Sequence, residues 1–270
     1  MPFFEHDAIR FHYELAGEGP LLVFCHGLTG NLEQVRELIG SISGIRQLFW
    51  DARGHGQTTP AGPAEGFAFD AFARDLEALL DHLAIERAVI GGVSMGAAVS
   101  TRFAIRNPDR VGGLILVRPA WLTEPLPEGL RLFPTVAGYL ERLEANEGCR
   151  LLEDSADFQA LREQSPDAAS GLRDQFFQED GRERRERLRG IPGDAPIRNW
   201  SEVENLRIPA LVIGNEPDYV HPLSYAKAWA ERLPLGRFEL VPAKAAGFEP
   251  YAQAVSQHVK AFLNSLEGSQ

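Results

Sequence analysis

The stretch that decides the fold is RAVIGGVSMGAAVSTRFAIR, residues 87–106. An apolar, strand-like run passes into a helical pattern through one pentapeptide, Gly92-Val93-Ser94-Met95-Gly96. A sharp strand-to-helix turn strains the backbone at its central residue, and side chains two positions away on either side would strike neighbouring chain. Gly92 and Gly96 remove those side chains. Such a turn lifts Ser94 Oγ above the carboxyl end of a central strand, where open α/β sheets form their ligand crevice. It also points a helix N-terminus at negative charge developing there, with the Met95 N–H as one donor. A glycine-rich turn with an incidental serine would explain the pentapeptide alone; it does not explain the strand before it and the helix after it.

Upstream, LLVFCHGLTGN (residues 21–31) is a buried-type strand running into a loop ahead of a helical pattern. A second donor for the same negative charge is expected in that loop, and Leu28 N–H is the candidate. His26 ends the strand and reads as a brace for the loop, not as a base. In WDARGHGQT (residues 50–58), two glycines allow tight turns, and Arg53 and His55 can tie the loop down.

The rest of the chain fits a mostly parallel α/β sheet with helices on both faces. LLVFC, RQLFW, AVIGG and GLILVR are nearly continuous apolar runs, as expected for strands covered on both faces. IRFHYEL (residues 9–15) alternates and is expected at a sheet edge. Helical spacing in residues 31–42 and 67–85 places helices between them. From Pro119 to Asn205 the character changes to helical segments without a convincing strand, including the charged DGRERRERLRG, whose basic residues read as a solvated helix face. The βα rhythm then returns with PALVIG, a helix, RFELV and a last amphipathic helix. Residues 1–118 and 206–270 are therefore expected to form one core domain, with 119–205 inserted as a helical cap.

Composition narrows the function. With 27 Lys and Arg against 38 Asp and Glu, the 270-residue chain carries a formal charge of −11, which disfavours nucleic acid and anionic membranes as partners. The apolar runs are strand-sized, and the acidic residues of MPFFEHDAIR do not suit a signal peptide, so a cytoplasmic protein is expected. Cys25 and Cys149 form no zinc spacing and no disulfide framework. Nothing in the sequence fixes an oligomeric state.

HGLTG, DARGHGQT and GVSMG, in that order and spacing, resemble the α/β-hydrolase superfamily, in its capped branch of esterase-like, haloperoxidase-like and C–C hydrolase-like enzymes. The resemblance covers essentially the whole chain. It implies a nucleophile at Ser94, oxyanion N–H groups at Leu28 and Met95, and a triad in chain order serine, acid, histidine. It does not imply a substrate. The family's aspartate lies after a buried strand, four residues ahead of a proline. In IPALVIGNEPDYVHP that position is Asp218 before Pro222, and Glu216 has the wrong spacing.

The family's histidine should follow the last strand, in a loop resembling P-x-x-G-H-F. Here the chain reads Pro242-Ala243-Lys244-Ala245-Ala246-Gly247-Phe248; counting from Pro242 puts the vacancy on Ala246, and counting from the Gly-Phe pair makes it a deletion between Gly247 and Phe248. Without a base, Ser94 is a neutral alcohol and a poor nucleophile. Four explanations stand. His221, three residues beyond Asp218, could supply the imidazole, although a residue before Pro222 also suits a plain helix start. Lys244 could act as base if burial lowers its pKa. Ala246 could replace a natural histidine. The protein could instead have kept the pocket only for binding.

The resulting expectation is a serine hydrolase of carboxylic ester or related acyl or C–C substrates, with catalytic Ser94, Asp218 and His221, needing no metal and no organic cofactor. The alternative is a non-catalytic small-molecule binding protein on the same fold. The partner in either case is a small, partly apolar molecule, with PAWL (119–122), LRLFP (130–134) and VAGYL (136–140) expected to line its pocket.

Overall fold

A computed structural model describes residues 2–267. Its centre is an eight-stranded sheet ordered β1-β2-β4-β3-β5-β6-β7-β8. The strands are β1 (Phe3–His6), β2 (Ile9–Ala16), β3 (Leu21–Cys25), β4 (Arg46–Trp50), β5 (Ala88–Val93), β6 (Val111–Val117), β7 (Ala210–Gly214) and β8 (Gly236–Leu240). β1 and β2 pair antiparallel, as do β2 and β4, and the remaining pairs are parallel. All four of the continuous apolar runs occupy interior strands.

One edge assignment is corrected. β2 is not the edge, because Phe3–His6 pairs outside it. The two are joined at Asp7 and Ala8, both at positive φ (49° and 58°), the backbone of a tight hairpin. Asp-Ala lacks the usual Asn-Gly or Asp-Gly signature, so the hairpin leaves little trace in the sequence.

The two sheet faces follow from period-two alternation. Leu22, Phe24, Val89, Ile115, Leu211 and Ile213 face one layer, with Val35 and Leu38 of α1 (Leu32–Ile39) and Val255, Val259 and Phe262 of α11 (Phe248–Glu267). Val23, Leu48, Ile90, Leu114, Leu116 and Val212 face the other, where α2 (Phe69–His82), α3 (Met95–Arg106) and α10 (Leu223–Arg232) pack.

Between β6 and β7 lie α4 (Phe133–Arg142), α5 (Ala145–Glu153), α6 (Ala156–Gln164), α7 (Pro166–Asp174) and two single turns, α8 (Arg187–Gly190) and α9 (Ser201–Glu204). The basic stretch in this segment is a correction. Residues 180–186 are turns, and Arg187 is buried instead of solvated. Its Nη1 donates to Gly54 O at 3.0 Å and its Nη2 to Gln175 Oε1 at 2.9 Å, while Arg184 Nη1 donates to Gly56 O at 2.9 Å. The glycine-rich loop after β4 leaves carbonyls unpaired, and a guanidinium supplies the donors they need. Among the described residues, no helix is long and apolar enough to cross a membrane.

Register places the site. Cys25 pairs with Gly92, Val93 with Val117, and Val117 with Ile213, so β3, β5, β6 and β7 end side by side. The residues that follow them, Gly27, Ser94, Arg118 and Asn215, all border one cavity.

Candidate active site

Ser94 sits between β5 and α3 with φ 55° and ψ −113°, a conformation that L-residues rarely adopt. Its N–H donates to Val117 O at 2.9 Å, which holds the turn against β6. The glycine requirement is literal here: a Cβ on Gly96 would lie 2.0 Å from Cys25 O, and one on Gly92 would lie 2.4 Å from the Gly96 carbonyl carbon.

The loop after β7 brings Asp218 and His221 together and aims both at Ser94. Asp218 Oδ1 accepts the His221 N–H at 3.1 Å, so the carboxylate closes a short turn of its own chain. The imidazole folds back over the same group, with Nδ1 3.0 Å from Oδ1 and 3.2 Å from Oδ2. The carboxylate can only accept, so Nδ1 carries the proton, and Nε2 presents its lone pair to Ser94 Oγ at 2.9 Å. Both side chains are largely enclosed, at 9% and 8% exposure.

A further residue holds the acid. Arg118, directly after β6, has φ 49° and donates from Nε to Asp218 Oδ2 at 2.6 Å. Burial tends to raise the Asp218 pKa, but His221 and Arg118 together hold it well below the usual carboxylate range. Burial lowers His221 to about 4, helped by the positive charge of Arg118 and opposed by Asp218. At neutral pH the pair is therefore an ionised acid and a neutral imidazole. In the sequence Arg118 reads only as the last residue before the inserted segment. The available signal was a charged residue ending the buried run LILV, at the level where β5 delivers Ser94.

The loop carrying Leu28 is fixed by histidines. Gly27 O accepts from His26 Nδ1 at 2.8 Å and from Gly30 N–H at 3.0 Å, and His26 Nε2 accepts the Ala52 N–H at 3.1 Å. In a trans peptide the N–H lies opposite the C=O, so fixing Gly27 O fixes the direction of Leu28 N–H. His55 adds to this from between the carbonyls of Arg53 and Leu28, with a ring nitrogen 2.8 Å from each and the single N–H of its neutral ring donated to one of them. Met95 opens α3, so its N–H has no acceptor within the helix.

Lys244 borders the same cavity, in a single turn at Lys244–Ala246. Burial and the Arg118 charge lower its pKa. Ser94 Oγ meets His221 and not Lys244. Ala246 is exposed and does not line the cavity, while Glu216 is exposed on the loop before Asp218.

The cavity measures about 370 Å³. Its outer wall corrects the pocket expectation in part. Leu130 and Phe133 of LRLFP line it, but PAWL and VAGYL do not; Leu161, Ala168 and Leu172 of α6 and α7 do. Trp121 is core, edge-on to Phe69 and accepting through its carbonyl from Trp229 Nε1 at 2.8 Å. Among the described residues, the donors close enough to share a cation are His6, Asp7 and Asp75, outside the cavity lining. Asp75 there already accepts two Arg53 hydrogen bonds at 2.6 Å.

A family model for the alpha/beta hydrolase fold matches residues 20–248, and the chain belongs to that family. It is 34% identical over 131 residues to a 2-hydroxy-6-oxo-6-phenylhexa-2,4-dienoate hydrolase of Comamonas testosteroni, a match covering 45% of this chain and 46% of the relative. It is 33% identical over 116 residues to 3-oxoadipate enol-lactonase 2 of Acinetobacter baylyi, covering 42% of each. The matches thus span just under half the length of these relatives. The crystal structure of an enol-lactonase from Burkholderia xenovorans superposes with a TM-score of 0.76 at 24% identity, covering 97% of this chain and 100% of that one, a likeness of fold.

Proposed function

We propose that the protein is a serine hydrolase of small carboxylic esters or related acyl or C–C substrates, whose base comes from the acid loop. The observation that carries this reading is the continuous chain from Ser94 Oγ to His221 Nε2 (2.9 Å) and from His221 Nδ1 to Asp218 Oδ1 (3.0 Å). A structural histidine ahead of Pro222 would need neither contact.

In this reading Ser94 Oγ attacks the substrate carbonyl carbon as its proton passes to His221 Nε2. The Leu28 and Met95 N–H groups receive the oxyanion, and Asp218 stabilises the imidazolium. The imidazolium then protonates the leaving group as the tetrahedral intermediate collapses to an acyl-serine. Water, deprotonated by the same imidazole, releases the acid and restores Ser94. Residues 119–205 act as the cap, because α6, α7 and the start of α4 supply the outer cavity wall. The chemistry requires no cofactor.

The test is fluorophosphonate labelling at neutral pH of the wild type, Ser94→Ala, His221→Ala and Lys244→Ala. Labelling of the wild type that is lost in Ser94→Ala and His221→Ala, and kept in Lys244→Ala, supports this assignment. An unlabelled wild type at high probe excess would favour the binding-protein reading instead.

A further inference from the structure

Of the residues lining the cavity, Arg118 and Lys244 are the cationic ones, and their charges differ in what opposes them. Arg118 is committed to Asp218, with Nε 2.6 Å from its Oδ2. The Lys244 ammonium makes no hydrogen bond or ion pair among the described residues. It is half-buried, so burial disfavours its charge first and Arg118 repels it second, while Asp167 of α7 and Asp218 attract it from outside ion-pair distance. An unpaired ammonium facing an enclosed space loses hydration without gaining a partner, and an anion bound beside it relieves that cost. The setting adds weight: the chain as a whole carries −11, so its net field does not attract an anionic ligand and a local cation is needed to receive one.

We propose that the substrate carries a carboxylate at the end remote from the scissile bond, and that Lys244 binds it as a specificity-determining residue. Asp167 repels the same group and so favours one orientation, with the anionic end toward the Lys244 turn and the acyl carbonyl toward Ser94. Lysine suits this task because its three donors swing on a flexible stem and can follow a carboxylate over several positions. The proposal rests on the serine-hydrolase reading for its reaction, but not for its binding.

The experiment compares the mono-4-nitrophenyl ester of heptanedioic acid with 4-nitrophenyl heptanoate, which differ in one terminal carboxylate. The wild type is expected to favour the anionic ester in kcat/KM. Lys244→Gln should reduce the anionic-to-neutral ratio by about tenfold or more, mainly through KM, as expected for loss of a charge-assisted contact. Lys244→Glu should reverse the preference. Equal turnover of both esters by the wild type, or an equal fall in kcat for both in Lys244→Gln, overturns the proposal; the second result would make Lys244 part of the proton-transfer chemistry. Calorimetry on Ser94→Ala, with and without Lys244→Gln, using the monomethyl ester of heptanedioic acid against methyl heptanoate, separates the two readings. Lys244-dependent binding of the anionic ester, together with a wild type that hydrolyses neither nitrophenyl ester at all, would sink the serine mechanism and leave this proposal standing.

Discussion

Arg118 Nε donates to Asp218 Oδ2 at 2.6 Å, so the carboxylate that orients His221 is held from the opposite side by a guanidinium. Arg118 thereby acts on Ser94 at two removes. It fixes the acid in place, and its charge opposes formation of the imidazolium.

The first prediction concerns that charge. His221 is lowered to about 4, by burial first and Arg118 second, so kcat/KM should hold constant through mildly acidic pH and fall as His221 protonates near that value. In Arg118→Met the positive charge is gone and the acidic limb should move to higher pH. At pH 7 kcat/KM should drop by about tenfold from looser positioning of Asp218. A pH profile of both proteins decides this, and an unmoved limb would confine Arg118 to a structural role.

The vacant position after β8 supplies a second prediction. Ala246 is exposed and does not line the cavity. Ala246→His should therefore change kcat/KM by no more than about twofold, as expected of a surface substitution. His221→Ala should lose on the order of ten-thousand-fold or more. The double variant should not recover, and steady-state kinetics on the three proteins checks all of this.

Stability should follow the same imidazole. A histidine whose pKa falls from 6.5 to about 4 on folding binds a proton more readily in the unfolded chain. Its contribution is complete above pH 6.5 and is lost as pH falls through about 4. Urea midpoints of the wild type should drop over that interval more than those of His221→Gln. His26 and His55 are also lowered by burial, so the comparison with the variant isolates His221.

Arg187 gives a fourth prediction. It is 4% exposed and donates to Gly54 O and Gln175 Oε1. Arg187→Met should leave buried acceptors unpaired and cost about 3 kcal/mol in urea unfolding. Arg187→Lys should recover only part of this, because an ammonium cannot reproduce the guanidinium fork.

Much of this architecture is legible in the sequence for identifiable reasons. Interior parallel strands need continuous apolar runs, and the elbow at Ser94 needs Gly92 and Gly96, so both announce themselves by composition. The His221 contact was one of several open choices, because sequence spacing shows that Asp218 and His221 are close but not where the ring points. Arg118 and Arg187 were missed or misread for a shared reason. Each works by pairing with a loop group brought near by tertiary structure, and an arginine's partner is not written beside it.

With Asp218 and His221 three residues apart on one loop, the proposed acid and base take their spacing from that loop and not from the end of the chain. In the pattern this family leads one to expect, the base rides on the final loop, so any drift of the terminal strand and helix pulls the two groups apart. Here such drift leaves the spacing between the two unchanged, because both stand on the loop after β7. The segment from β8 onward keeps its packing duty and carries Lys244, and it reaches the pair only indirectly, through the Tyr251 ring against Arg118 and the Lys244 charge. Under the proposed mechanism and specificity, substrate choice and bond-breaking fall to different loops, which communicate through the Lys244 charge on His221.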